Sequence, residues 1–517
     1  MPRPILSGGA LCASWLAVAL PAGAARAQPA PGAQPPDPAP SGQESPIPGP
    51  GDSTRPPGTG PSPGQPGFLA GLFGASRPNL LGDLYGVRTA LGRHGVSLGL
   101  QETDEVLGNP TGGLRRGASY NGLTTLSLGV DTAAATGLAG GVFNVSALQI
   151  HGRYYSADSL ALLQPVSGIE AQRSTRLWEV WYQQGLGRGV DVKLGQQSLD
   201  QEFIGSQYSG LFVNAAMGWP LVPSVDQYAG GPDYPLASLG ARVRLAPARG
   251  VTLLGGVFDD NPVGHPFRDD FQVSGAGQSG TAFSTGTGAL AIGEAQYAAF
   301  QPATGGAGAA RGAAGGAASG GGATPGLPGT YKLGVWYDTG IFPDQRFDAG
   351  GRPLADRALH GVARGRRGNW SVYGVLDQMV WRPAADSARS VGVFARAMGA
   401  PGDRNLASFS LNAGVTLKAP LPGRDNDTLG LGYGLAKAGA GASGYDTDNA
   451  RLNGAVPVRS SESFLELTYQ FQAAPWLLVQ PDFQYVYSPG GGIANPLAPG
   501  RRVGNAAVLG IRTSIAF

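Results

Sequence analysis

The sequence predicts an all-β fold: a transmembrane antiparallel β-barrel of about 16 strands, with a short N-terminal helix and long extracellular loops. Three observations predict it. The final segment alternates cleanly and closes on an aromatic residue, a long series of similar segments precedes it, and the connections alternate between long and short. In the stretch 508–517, Leu509, Ile511, Thr513, Ile515 and Phe517 share one face, and Gly510, Arg512, Ser514 and Ala516 share the other. Chain ends usually fray into water. An apolar terminal strand makes sense if one face meets lipid and its edge is paired to close a barrel. Phe517 then reads as the signal taken up by the barrel-assembly machinery of a bacterial outer membrane. An edge strand of a soluble sheet is the plain alternative.

The preceding segments decide between the two. From Val96 onward, alternation marks 96–107, 120–131, 141–151, 175–185, 189–197, 237–247, 250–258 and 287–299. It continues through 329–339, 369–381, 390–398, 406–418, 427–438, 461–472, 475–487 and 506–517. In 461–472, Leu465, Leu467, Tyr469 and Phe471 oppose Glu466, Thr468 and Gln470, an apolar face for lipid and a polar face for a wet lumen. Segment 287–299 breaks the rule, because Glu294 and Gln296 share a face with Leu290 and Ile292. If both termini are periplasmic, connections after odd strands should be long and those after even strands short. The odd set includes 152–174, 198–236, 259–286, 340–368, 439–460 and 488–505; the even set includes 186–188, 248–249 and 473–474. Connection 300–328 is the exception, and its Gly/Ala-rich core (302–326) is expected to be a disordered periplasmic insert.

The N-terminal end gives the address. Arg3, the apolar run from Ala10 to Leu20 and Ala25-Arg26-Ala27 form a secretory signal peptide over 1–27. Its removal takes away Cys12, the only cysteine, and leaves 35 basic against 35 acidic residues. Loss of the cysteine excludes a thiol nucleophile and a disulfide framework, and the charge balance excludes a basic nucleic-acid footprint. Residues 28–78 are Pro-rich and too poor in large apolar groups to offset their ordering entropy, so a disordered periplasmic segment is expected. The domain from 79 to 517 is the barrel, with strands from 95 and an amphipathic helix expected over 79–92 on Leu80, Leu84, Val87 and Leu91. No stretch offers the roughly 18 unbroken apolar residues of a membrane helix, and 86 glycines suit alternating strands better than helices.

Catalytic signatures occur only by composition. Residues 60–64 and 95–99 match G-x-S-x-G, and 439–444 match G-x-G-x-x-G, but none has the strand-to-helix context that the chemistry needs. His94, His151, His265 and His360 lack metal-ligand spacing, and Ala450 spoils a calcium loop begun by Asp446 and Asp448. No catalytic residue, metal or cofactor is expected.

What remains is chemistry for passage. A pore for sugars needs hydroxyl partners and aromatic faces, and must bind weakly enough to release. Alternation places Glu179 and Trp181 with Gln183 on one face, Asp191 and Lys193 with Gln197 beside them, and Arg242 and Arg244 opposite Val243 and Leu245. It also aligns Lys332, Trp336 and Asp338. Glu179, Trp181, Lys193, Arg242, Arg244, Trp336 and Glu466 are therefore the expected pore-lining residues. The long segment 198–236, carrying Asp200, Glu202, Phe203 and Phe212, is expected to fold inward as a constriction.

Several stretches resemble the carbohydrate-selective porins of the OprB family: 82–88 (GDLYGVR), 146–152 (SALQIHG), 174–179 (STRLWE), 210–214 (GLFVN), 218–220 (GWP) and 329–334 (GTYKLG), in family order. The resemblance covers about 80–517. It implies a sixteen-stranded outer-membrane porin passing small sugars and polyols down their gradient. The expected partners are those sugars, outer-membrane lipid and lipopolysaccharide, and the barrel-assembly machinery, with no nucleic acid, as a monomer or homotrimer. The rival readings are a general diffusion porin, an outer-membrane barrel enzyme, and an energy-coupled transporter, which would need a plug domain.

Overall fold

The computed structural model describes residues 78–263, 279–281, 285–300, 326–384, 387–454 and 456–517. The expectations for 1–27, for 28–77 and for nearly all of the Gly/Ala-rich insert lie outside these residues. Eight strands form the first half of a sheet: β1 (Val96–Gly113), β2 (Gly117–Asp131), β3 (Gly141–His151), β4 (Ser174–Gly187), β5 (Val190–Gln197), β6 (Ser238–Ala248), β7 (Val251–Asp259) and β8 (Ala289–Ala299). The second half is β9 (Gly329–Asp348), β10 (Ala363–Trp381), β11 (Ser390–Gly399), β12 (Ala407–Lys418), β13 (Thr428–Ala438), β14 (Ser461–Ala474), β15 (Leu477–Tyr487) and β18 (Gly504–Ala516). Each pairs antiparallel with its neighbours, and β18 closes the ring onto β1. Strands β16 (Ala494–Asn495) and β17 (Ala498–Arg502) form a separate small hairpin.

All sixteen expected segments are strands of this closed barrel. The largest differences are in β1, β9 and β10, which run several residues further at the long-loop end. Closure saturates every edge, which a spanning sheet requires because hydrocarbon supplies no hydrogen-bond partners. The outer wall carries exposed Leu333, Val335 and Tyr337 on β9, and Leu465 and Leu467 on β14. Arg512 of β18 points inward and pairs with Glu105 of β1, as the terminal alternation requires.

The expected helix over 79–92 shrinks to Val87–Gly92. Gly82, Leu84, Tyr85 and Gly86 all have positive φ (59, 49, 57 and 94°), which breaks any right-handed helix there. This segment instead latches the closure seam. Leu80 N donates to Ala516 O at 2.7 Å, and the Arg88 guanidinium donates to the carbonyls of Leu98 and Phe517.

Candidate functional site: a charged passage beside two inward-folded loops

Segment 198–237, between β5 and β6, folds into the barrel and crosses to the far wall. A loop buried this way must find partners for its backbone groups, and wall carboxylates supply them. Glu179 accepts from Ser198 N at 3.0 Å, Glu294 from Ile204 N at 2.7 Å, and Asp377 from Ser206 Oγ and Gln207 N at 2.6 and 3.0 Å. Glu466 accepts from the amides of Val213 and Asn214. On β11 the fully buried Arg396 does the converse. It donates to the carbonyls of Ile204, Ala216, Met217 and Gly218 at 3.2, 2.7, 2.9 and 2.9 Å. Charge-assisted bonds of this kind are roughly twice as strong as neutral ones.

A second loop, 152–173, also turns inward, which the sequence reading did not anticipate. Glu462 accepts from Leu163 N and Gln164 N at 2.9 and 2.7 Å. The two loops pair through Gly168 N to Val213 O (2.8 Å) and Ala215 N to Pro165 O (2.9 Å). The available signal was the apolar run 160–163, which a solvated loop would not carry.

These loops explain the segment that broke alternation. Leu290 and Ile292 of β8 do face the lumen with Glu294, but they lie buried against Phe203, Ile204, Trp219 and Leu221 of the long inner loop. On β13, Gly430 and Gly432 leave a bare track for the loop. A Cβ on Gly432 would lie 2.7 Å from Met217 and 2.8 Å from Phe212, too close to be accommodated without movement.

Between the loop and strands β4–β6 lies a charged network in which Asp191, Lys193 and Arg242 are buried and Glu202 and Arg244 are partly exposed. Register sets Gln183, Lys193 and Arg242 in one inward row, with Asp191 and Arg244 in the next. Glu202 reaches across from the loop to Lys193 Nζ at 2.8 Å and to Arg242 Nη2 at 3.0 Å. Asp191 bridges Arg242 and Arg244, and Gln183 Oε1 accepts from Arg242 at 3.2 Å. The Lys193 ammonium sits 4.2 Å from the Trp181 ring centroid. Burial alone would raise the Glu202 carboxyl, but the Lys193 and Arg242 charges beside it more than reverse this and hold it down to about 2. Glu202 is 22 % exposed and Arg244 21 %, so both present charge to the passage.

The structure thus brings Trp181, Lys193, Glu202, Arg242 and Arg244 together, with Asp200 close to the loop root, bonded to Ser198 Oγ at 2.6 Å. It places Trp336, Phe203 and Phe212 inward but fully covered, at 0, 1 and 0 % exposure, as packing between loop and wall. Glu179 and Glu466 are buried too, their carboxylates engaged by loop amides. Residues that hold the loop, notably Asp377, Arg396 and Glu462, escaped sequence reasoning, because alternation marks them inward without saying what they meet. One histidine does join carboxylates in space. Glu102, Asp104 and His151 gather within 4.8 Å on the outer wall, where Tyr120, Thr124 and Gln149 hydrogen-bond to them.

A closed, lipid-faced barrel with a narrowed, mixed-charge lumen defines an outer-membrane channel. A family model described as the carbohydrate-selective porin, OprB family, matches residues 115–517, and the chain belongs to that family. Porin B of Pseudomonas aeruginosa is 24 % identical over 457 residues, covering 85 % of this chain and 91 % of that protein. The putative porin QuiX of Acinetobacter baylyi is 25 % identical over 178 residues, 32 % of this chain and 37 % of that one. The high-pH structure of Pseudomonas putida OprB superposes with a TM-score of 0.71 at 23 % identity, covering 86 % of this chain and 99 % of that one. The chain is an outer-membrane sugar porin.

Proposed function

We propose that small sugars and polyols diffuse passively through the passage beside Trp181, Gln183, Lys193, Arg242 and Arg244, narrowed by inner-loop residues Asp200 and Glu202. The observation that carries this reading is Glu202 bridging Lys193 and Arg242 from the loop to the wall. A hydrated sugar entering a narrow lumen must exchange water for fixed donors and acceptors, and this row offers guanidinium, carboxylate and amide groups in turn. Opposed charges at close quarters cancel, which suits a neutral solute better than an ion. Phe203 and Phe212 serve the constriction as anchors, and Trp336 and Glu466 as its footing. Passage involves no bond making, so no catalytic activity is assigned.

Sugar block of the ion current through single barrels tests the site. Arg242→Ala with Arg244→Ala removes charged hydrogen bonds worth roughly 1.5–3 kcal/mol each in similar settings, so block should need at least about tenfold more sugar. Unchanged block would make both arginines structural. Permeation that tracks solute size alone, already in the unaltered protein, would favour the general diffusion porin.

For assembly we propose export by the 1–27 leader, with 28–78 as a periplasmic tether and 302–326 as a periplasmic insert. The paired terminal strand ending in Phe517 is read by the barrel-assembly machinery, and the barrel sits among lipid and lipopolysaccharide as a monomer or homotrimer.

A further inference from the structure

One sector of the outer wall departs from its apolar pattern. On β9 the outward row reads Tyr331, Leu333, Val335 and Tyr337, and on β14 Leu465, Leu467, Tyr469 and Phe471, with no carboxylate and no imidazole. Across β1, β2 and β3, register aligns Glu102 with Thr124 and Gln149, and Asp104 with Gly122 and His151. These residues face away from the lumen, since Thr103 and Glu105 are the buried, inward ones. The Tyr120 hydroxyl donates to Asp104 and lies 3.0 Å from His151 Nε2, and Thr124 donates to Glu102. His151 Nδ1 is 3.0 Å from Gln149 Oε1, and its Nε2 is 3.8 Å from Glu102 Oε1. Gly122 lets the imidazole lie flat on the wall, because a Cβ there would collide with the ring. Apolar rows bound the patch along the strands, with Leu98, Leu100, Leu126 and Leu128 on one side and Val106 and Ile511 on the other.

Hydrocarbon offers such groups no partner, and charges on the lipid face of a barrel are destabilising. Even with His151 protonated, two carboxylates face one cation, so the cluster does not cancel its own charge. A lipid phosphate would meet carboxylates of its own sign. The patch is complementary to itself, however. Acids stand on β1, hydroxyls on β2, and an imidazole and an amide on β3. Turning a barrel about an axis along the membrane normal, beside β2, brings the β1 acids of one copy to His151 and Gln149 of another. The apolar rows of β9 and β14 offer no such groups. We propose that the β1–β3 sector docks against a second copy of this chain. This deepens the sugar-porin reading, on which it rests, by making the barrel an oligomer with a defined contact face. Docking takes the charged patch out of lipid and leaves each lumen its own passage.

The test is cross-linking of the full chain in outer membranes. Cys12→Ser leaves the chain without cysteine, so a single one can be placed on either wall. Leu126→Cys, exposed on β2 beside the patch, is compared with Leu333→Cys, exposed on β9, using a short bis-maleimide. Leu126→Cys should give a band at twice the chain mass, and Leu333→Cys should not. Adding Glu102→Gln and Asp104→Asn to Leu126→Cys should cut the yield at least about tenfold, with heat-modified gel mobility reporting a folded barrel. If that variant fails to fold, His151→Gln takes its place. No cross-link at Leu126, an equal yield at Leu333, or a full yield without the charges would overturn the second copy. Lipopolysaccharide retained by purified barrels that do not cross-link would overturn it as well, by placing a headgroup on the patch. Sugar block is recorded on the same preparations. Barrels that are blocked by sugar but do not cross-link sink the oligomer and leave the passage standing; cross-linked barrels without block do the reverse.

Discussion

Arg396→Met tests how the lumen is shaped. Arg396 is 1 % exposed and reaches four carbonyls of the inner loop at 2.7–3.2 Å, with Asn412 Oδ1 at 3.1 Å as a fifth acceptor. Methionine fills much of the same volume but donates nothing, so four buried carbonyls lose their partner. An unmet buried polar group costs roughly 1–3 kcal/mol. Removing the buried charge recovers part of this, and water entering from the lumen re-satisfies some of the carbonyls. A net loss of about 3 kcal/mol in loop docking remains, which shifts the ratio of released to docked loop by ~100-fold at roughly 1.4 kcal/mol per decade. The barrel wall is untouched, so heat-modified gel mobility should stay normal. Single-channel recordings should show a larger conductance or frequent excursions to it, together with weaker sugar block. Arg396→Lys, which keeps one donor group, should fall between. If Arg396→Met conducts and selects as the unaltered protein does, the loop is held by its apolar packing and the guanidinium is dispensable.

Three further outcomes follow from the same geometry. Gly432→Val puts branched atoms where Met217 and Phe212 lie 2.7 and 2.8 Å from a bare Cβ; the inner loop should lift and conductance rise, while Gly255→Val, on the exposed face of β7 with open space around its Cβ, should leave conductance alone. Deleting the loop centre, 206–218, should raise conductance and abolish sugar discrimination in liposome swelling; retained discrimination would place selectivity outside the loop. Glu170, in the second inner loop and bonded to Ser156 N and Oγ at 2.8 and 2.7 Å, is pushed up to about 8 by burial, with Glu105 and Asp158 adding to the rise. A carboxyl raised in the fold contributes stability below its unfolded value near 4.5 and loses it as pH climbs through about 8. Current noise should therefore grow between pH 6 and pH 9 in the unaltered barrel and be flat in Glu170→Gln; equal pH dependence in both would clear Glu170 of the effect.

Much of the barrel was legible because its signals are local. Side-chain period, turn positions and loop length repeat along the chain, and repetition settled what no single segment could. Even the inward set was mostly readable: Lys193, Arg242, Arg244 and Arg512 fall on the faces that alternation assigned. The leucine spacing over 79–92 predicts a helix, but it carries no sign of the left-handed backbone at Gly82, Leu84, Tyr85 and Gly86 that breaks it. Segment 287–299 departs from the polar-lumen pattern because Leu290 and Ile292 are apolar on the inside, where a loop covers them.

The sequence by itself determined strand number, facing, closure and the family, since each depends on neighbours in the chain or on a repeated period. Only the tertiary structure decided which inward residues meet the passage and which meet protein. Trp181 and Trp336 have the same alternation, yet one stands beside Lys193 at the passage and the other lies fully covered beneath the inner loop. The difference is made by a segment more than a hundred residues from Trp336 in the chain, held by Arg396, Asp377 and Glu466 on three separate strands. Contacts of that range leave no period behind, because they are set by where a closed barrel brings its walls together.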